Sequence, residues 1–259
     1  MSAEFQKIRV REEGAVYTIR LFYPERRNAI GPQMTNEILH ALEAAHGSKA
    51  QVIVLEGEGK SFCAGGDFAQ MTAGADQALL PHKGDYADLL LAMVKSDKPI
   101  IAKVHGHAMG GGLGLVAAST FAIASTDAEL GTPEINVGLF PMMIMAVLSR
   151  LVSRRKLLEM MLTGQRMPAE YAATIGILNG TCPPDALDAT VTALADSLAK
   201  KSPMTIKLGL RAFAAQDDMD LERALPMLRD RLGECLGTDD AREGLMAFLE
   251  KRTPNWTGK

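Results

Sequence analysis

Pro99–Leu115 reads PIIAKVHGHAMGGGLGL, and its two halves could hardly differ more. The first half, Pro99–Val104, is an apolar run opened by proline, the pattern of a buried strand. The second, from Gly106, carries three consecutive glycines, each costing about 1 kcal/mol relative to alanine inside a helix. Such a run is kept where backbone must approach something closely or present unshielded N–H groups. A dinucleotide fingerprint is one rival, because Gly112-x-Gly114-x-x-Ala117 fits G-x-G-x-x-G/A. That motif opens directly from its strand. Here seven residues separate Val104 from Gly112, too many for the tight first turn.

The same strand-then-glycine pattern recurs upstream. Gln51–Leu55 (QVIVL) is followed by Gly59–Phe68 (GKSFCAGGDF), ahead of an expected helix. A small-residue turn at a helix start exposes N–H groups and adds the positive end of the helix dipole. The plainer alternative is a turn that needs glycine for its φ angles. Downstream, Leu130–Pro141 (LGTPEINVGLFP) isolates Glu134 among apolar and small residues between two prolines. Burial would raise its pKa and make it a usable proton shuttle. A solvated turn glutamate is the bland alternative.

Further strands are expected at Val16–Phe22 and Phe121–Ser125, with helices at Met34–His46 and Tyr86–Lys95. The order implies sheet covered by helices. From Arg154 onward the periodicity is helical, over 155–162, 168–175, 184–201, 203–216, 221–236 and 239–251. Ser202-Pro203 ends one helix and starts the next, so the chain divides into a core, 1–201, and a helical segment, 202–259. Ala73–Gly84 has no periodicity and is expected to be a surface loop beside the site.

Composition bounds the function. The net charge of −3, from 28 basic and 31 acidic side chains, creates no global field for nucleic acid. The most basic run, Arg150–Lys156 (RLVSRRK), reads as a solvated helix face. Cys63, Cys182 and Cys235 are three in number and lack CxxC spacing, which argues against a disulfide framework and against zinc. Cys63 is read as a small buried hydrophobe. The first residues carry no basic region followed by an apolar run, and no stretch approaches a membrane span. A cytoplasmic protein with no membrane partner is expected.

The three blocks FCAGGD, GHAMGGG and PEINVGLFP, in this order, resemble the crotonase family, also called the enoyl-CoA hydratase/isomerase family. The resemblance runs from Arg26-Arg27-Asn28-Ala29-Ile30 to Arg242–Arg252, in effect the whole chain. It implies an α/β fold, a ββα spiral core with a helical C-terminal trimerisation segment. The substrate it implies is an acyl-CoA thioester, coenzyme A being part of the substrate and no separate cofactor being needed. Trimers or dimers of trimers are implied as well.

By motif position the resemblance places two backbone donors for a thioester enolate oxygen on Gly66 and Gly111. It places Ala29 and Ala64 by the adenine of CoA, with Arg26 or Arg27 near phosphate. Asp67, Phe68 and Ala69 would line the pantetheine path, and Phe248 and Lys251 would reach a neighbouring subunit's CoA. Glu134 becomes the acid/base. Two-glutamate hydratases of the family carry a second acid at the position of Gly114, so this chain departs from them. One base suffices to move a double bond, and the resemblance therefore favours isomerisation. His107 or the 73–84 loop are other sources of a second group for hydration. Met142-Met143-Ile144-Met145 reads either as a deformable acyl pocket wall or as core. A silent acyl-CoA-binding scaffold is the reading from outside enzymology.

Overall fold

The computed structural model describes residues 5–67, 70 and 80–259. Phe68, Ala69 and most of the 73–84 segment lie outside the described residues. Strands β1 (Ile8–Glu13), β2 (Val16–Leu21), β3 (Val52–Gly57), β4 (Ile100–Val104), β6 (Phe121–Ser125) and β9 (Gly180–Cys182) form a six-stranded sheet in the order β1-β2-β3-β4-β6-β9. β1 and β2 pair antiparallel, and every later pairing in this sheet is parallel. A second sheet joins β5 (His107–Met109), β7 (Glu129–Gly131) and β8 (Arg166–Pro168).

The central strands carry apolar runs, Val52–Leu55 in β3 and Ile100–Ala102 in β4, because both of their faces are covered. On one face Ile53, Leu55, Ile100 and Ala102 pack on α1 (Pro32–Gly47), α2 (Tyr86–Val94) and α3 (Gly111–Ala118). On the other, Val52, Val54, Ile101 and Ile123 meet Leu187, Val191 and Ala195 of α7 (Leu187–Ala199). The chain coils strand, helix, strand through these layers, the spiral core expected. Between them run α4 (Met142–Leu148), α5 (Arg154–Thr163) and α6 (Ala169–Thr174). Strands of three residues, such as β5 and β8, escape periodicity arguments; the expected helix at 168–175 begins one residue later, after Pro168 closes β8.

The last helices are α8 (Pro203–Gln216), α9 (Leu221–Leu236) and α10 (Asp239–Glu250). Ser202 caps α8, its side chain accepting from the Thr205 N–H at 2.9 Å. The three pack on one another, but their large apolar side chains, Phe213, Leu221, Leu232, Leu245 and Phe248 among them, face outward. No described helix is long and apolar enough to cross a membrane.

Candidate active site

The two glycine blocks come together because short ladders clamp them. The Cys63 N–H donates to the His107 carbonyl at 3.0 Å, and the Met109 N–H donates back to the Cys63 carbonyl at 3.0 Å. On the other side of the first block, the Ile30 N–H donates to Gly65 at 2.8 Å and the Asp67 N–H to Ile30 at 2.9 Å. The second block continues into the small sheet, where the Gly110 N–H reaches the Gly131 carbonyl at 2.9 Å. Among the described residues the N–H groups of Gly66 and Gly111 have no acceptor. Both residues line one cavity of about 530 Å³, together with Ile30, Tyr86, Glu134 and Phe140.

Each glycine of the triplet answers a different demand. Gly110 has φ +49° and ψ −119°, a backbone closed to side-chain-bearing residues, and a Cβ there would stand 2.6 Å from Glu134 Oε1. Gly111 opens α3 with a bare N–H. Gly112 lets α3 close on the first block, since a Cβ would lie 2.7 Å from Cys63 Cβ and 3.0 Å from its Sγ. Gly114 faces the Tyr86 hydroxyl and Ile144, both of which a Cβ would strike.

Glu134 stands in a 3-10 turn, Pro133–Val137, that Thr132 anchors by donating its hydroxyl to the Met160 carbonyl at 3.1 Å. Its Oε2 is buried and has no hydrogen-bond partner among the described residues. Burial pushes the carboxyl above the ordinary glutamate range, only partly offset by a bond from its own N–H. A lone carboxylate held short of solvation is what proton transfer requires. Asp85 also lines the cavity, but its side chain is engaged with the N–H groups of Ala87 and Asp88 at the start of α2.

A matching family model, enoyl-CoA hydratase/isomerase, covers residues 11–259. The chain belongs to this family. A putative enoyl-CoA hydratase of Thermus thermophilus is 32% identical over 251 residues, 95% of this chain and 98% of the relative. A probable enoyl-CoA hydratase of Bacillus subtilis is 33% identical, over 90% of this chain and 92% of its own length. Among solved structures, an enoyl-CoA hydratase subunit from Geobacillus kaustophilus superposes with TM-score 0.89 at 34% identity, covering 99% of this chain and 100% of that one. Human enoyl-CoA hydratase domain-containing protein 3 gives TM-score 0.89 at 29% identity, covering 97% and 100%. The fold is therefore of the crotonase type.

Within this family fold the residues singled out from the sequence fall in several places. Gly66, Gly111 and Glu134 share the cavity. Ala29 and Ala64 do not line it; the Ala64 N–H donates to the Arg27 carbonyl at 3.0 Å and the Ala29 N–H to the Arg26 carbonyl at 3.1 Å, which ties Ala64 to the segment that carries Ala29, with Arg26 and Arg27 exposed. Asp67 is buried and accepts from the Gln70 N–H at 3.3 Å. Phe248 and Lys251 are at the end of α10, exposed and not on the cavity wall. His107 does not line it either; its ring lies between Ser61 Oγ at 3.4 Å and Glu129 at 3.4 Å. His82, from the 73–84 segment, does. Cys63 is buried and its thiol is pushed up to about 12 by burial, as a packing residue and not a nucleophile.

Two residues went unnoticed in the sequence. Tyr86 lines the cavity from the first turn of α2. Asn28, buried at φ +56°, accepts from the Tyr23 N–H at 2.8 Å and donates to the Glu58 and Ser61 carbonyls at 2.8 Å each. It ties the first block to the turn before it. The only sequence signal for Asn28 was its place in RRNAI, and for Tyr86 there was none beyond an aromatic in a mostly apolar helix.

Proposed function

We propose that this protein binds an acyl-CoA thioester and stabilises its enolate, with Glu134 moving the proton and double-bond isomerisation favoured over hydration. The observation that carries this reading is the meeting, in one cavity, of two acceptor-free glycine N–H groups and a desolvated carboxylate. The thioester oxygen would lie between the N–H groups of Gly66 and Gly111, each such donor contributing about 10²–10³ in rate. Glu134, in its basic form, would take a proton from one carbon of an enoyl chain and return it at another. The apolar wall of Ile30, Phe140, Met142 and Ile144 suits an acyl chain. Ala29, Ala64 and the exposed Arg26 and Arg27 offer an edge for the CoA nucleotide. Coenzyme A enters only as part of the substrate.

Hydration is the second reading, since relatives of this chain carry the name enoyl-CoA hydratase. It asks for a second group to handle water, and His82 is the cavity residue available. Offering the purified protein a 3-enoyl-CoA and crotonyl-CoA in parallel, while following the conjugated enoyl absorbance, separates the two. A gain with the first and little loss with the second is expected; rapid loss of the crotonyl band would give the site to hydration.

The outward apolar side chains of α8–α10 support assembly into trimers or paired trimers. Light scattering on the full chain should find such a species, and a monomer would remove the proposal. Arg150 and Lys156 of the basic run are ion-paired, with Asp217 at 2.8 Å and Glu159 at 3.0 Å, which fits a solvated face and no nucleic-acid surface.

A further inference from the structure

The helix opening that carries Gly111 is built from three glycines, the residues with the most backbone freedom to lose. A preorganised donor on such a chain needs fixing from outside. Two of the fixing contacts are in the backbone and the core: the Gly110 N–H on Gly131, and Gly112 against Cys63. The third is a side chain, because the Tyr86 hydroxyl donates to the Gly111 carbonyl.

Tyr86 is itself held hard. It is the first residue of α2, and Asp85 caps that helix reciprocally with Asp88. Just upstream, Asn36 of α1 donates to the Pro81 carbonyl at 3.0 Å and accepts from the Lys83 N–H at 2.7 Å. The phenol thus enters the cavity from a fixed base. Its hydroxyl also fills the space in front of Gly114, where any side chain would collide with it and with Ile144.

We propose that Tyr86 is a positioning residue of this site, its hydroxyl fixing Gly111 at the helix opening and closing the space before Gly114 to a second acid or water. The inference rests on the thioester-enolate reading above. Burial and the nearby Glu134 hold the phenol well above its ordinary pKa, so it stays protonated and acts as a donor, never as a base that could activate water. A site furnished in this way has one proton carrier on that wall and a donor whose direction is set by a neighbouring helix.

The test is Tyr86→Phe, which keeps the ring and removes the hydroxyl. Two readouts are followed in the unmodified and variant proteins: turnover of a 3-enoyl-CoA, and the near-ultraviolet enolate band of bound acetoacetyl-CoA. The band reports polarisation of the thioester without turnover. Displacing a fixed group by a fraction of an ångström to an ångström costs about 10–100-fold in rate. The expected result is a fall of that size in kcat with KM nearly unchanged, and a weakened enolate band at saturating ligand. A variant with unaltered band and kcat overturns the positioning role. An unmodified protein that binds acetoacetyl-CoA without any enolate band overturns the thioester-enolate reading itself, and this inference with it.

Discussion

The spiral core and the C-terminal helices use similar apolar residues and bury them to different extents. In the core, Ile53, Leu55, Ile100, Ile101 and Leu113 are almost wholly buried, and the sheet is covered on both faces. In α8–α10 the buried apolar residues are Ala224 and Ala247, while Phe248 is 81% exposed and Leu249 74%. Burying a large apolar side chain contributes about 1.5–3 kcal/mol, so the core is finished within one chain and the helical segment is not. The site follows the core. Among the described residues, its donors, carboxylate and walls all come from positions 30–144, and none that lines the cavity lies beyond Ile144. A substitution in the cavity can therefore leave α8–α10 untouched, and one in α8–α10 can leave the described cavity residues untouched.

The largest effect expected from breaking that separation on the site's side is Glu134→Gln. Loss of a general acid/base costs about 10²–10⁴ in turnover, with no change in oligomeric state. The sign of its pH dependence follows from burial. The folded pKa is raised, so kcat/KM should climb with pH through a value above the ordinary glutamate range. Stability runs the other way. A carboxyl with a raised folded pKa contributes stability below its unfolded pKa and loses it as pH rises through the folded one. Glu134→Gln should then melt higher than the unmodified protein at neutral pH, with the gap closing in acid. Retained turnover, or a gap that widens in acid, would contradict the role.

On the other side of the comparison, the strongest tether of the helical segment is a buried carboxylate. Asp240 accepts from the N–H groups of Thr257 at 2.7 Å and Gly258 at 3.0 Å, and from the Ser202 hydroxyl at 2.7 Å. Burial opposes its charge, but these bonds prevail and hold the carboxyl below its usual range. Asp240→Ala removes the acceptor of four donors, the Thr257 hydroxyl being the fourth at 3.1 Å. The two hydroxyls can turn to other acceptors and the two N–H groups cannot, so at about 1–3 kcal/mol for each unsatisfied group stability should fall by roughly 2–6 kcal/mol. Hydrogen exchange should show the loss in α8, α10 and the C-terminal tail, with the core strands still protected. Uniform loss across both regions would mean the two unfold as one unit.

What the sequence disclosed follows the same division. The core strands announced themselves because double-sided burial leaves uninterrupted apolar runs, and the glycine triplet because only a backbone demand keeps three glycines together. Glu134 stood out by isolation between Pro133 and Pro141. Tyr86 did not, since it is 48 residues from Glu134 and nothing in its own helix marks the first-turn position as facing Gly111. Asn28 was hidden for a related reason: its side-chain partners are backbone groups of Tyr23, Glu58, Ser61 and Phe62, which no pattern of residue types reveals. The helices of the C-terminal segment were legible from periodicity, yet the apolar stripe that made them legible faces outward.

The smallest effect is the one that asks what fastens the two regions. Arg211 of α8 grips Asp97, just after α2, with bonds of 2.6 and 2.7 Å, and Arg150 reaches Asp217 and Asp218 at 2.8 and 2.9 Å. Both latches are solvent-facing, the Arg211 side chain being 57% exposed. Ion pairs in that setting contribute about 0.2–1 kcal/mol and weaken with salt. Arg211→Ala should therefore shift stability by no more than that, less at high ionic strength. Asp97, although partly buried, is held below the ordinary carboxylate range by Arg211. Its contribution is present above its unfolded pKa and fades as pH falls through the lowered one, so the variant and unmodified proteins should converge in acid. A loss of several kcal/mol would mean that this latch, and not a partner's apolar surface, holds the segment in place. A loss under one leaves contacts other than this latch, the proposed cover of the outward apolar stripe of α8–α10 among them, to hold the segment in place.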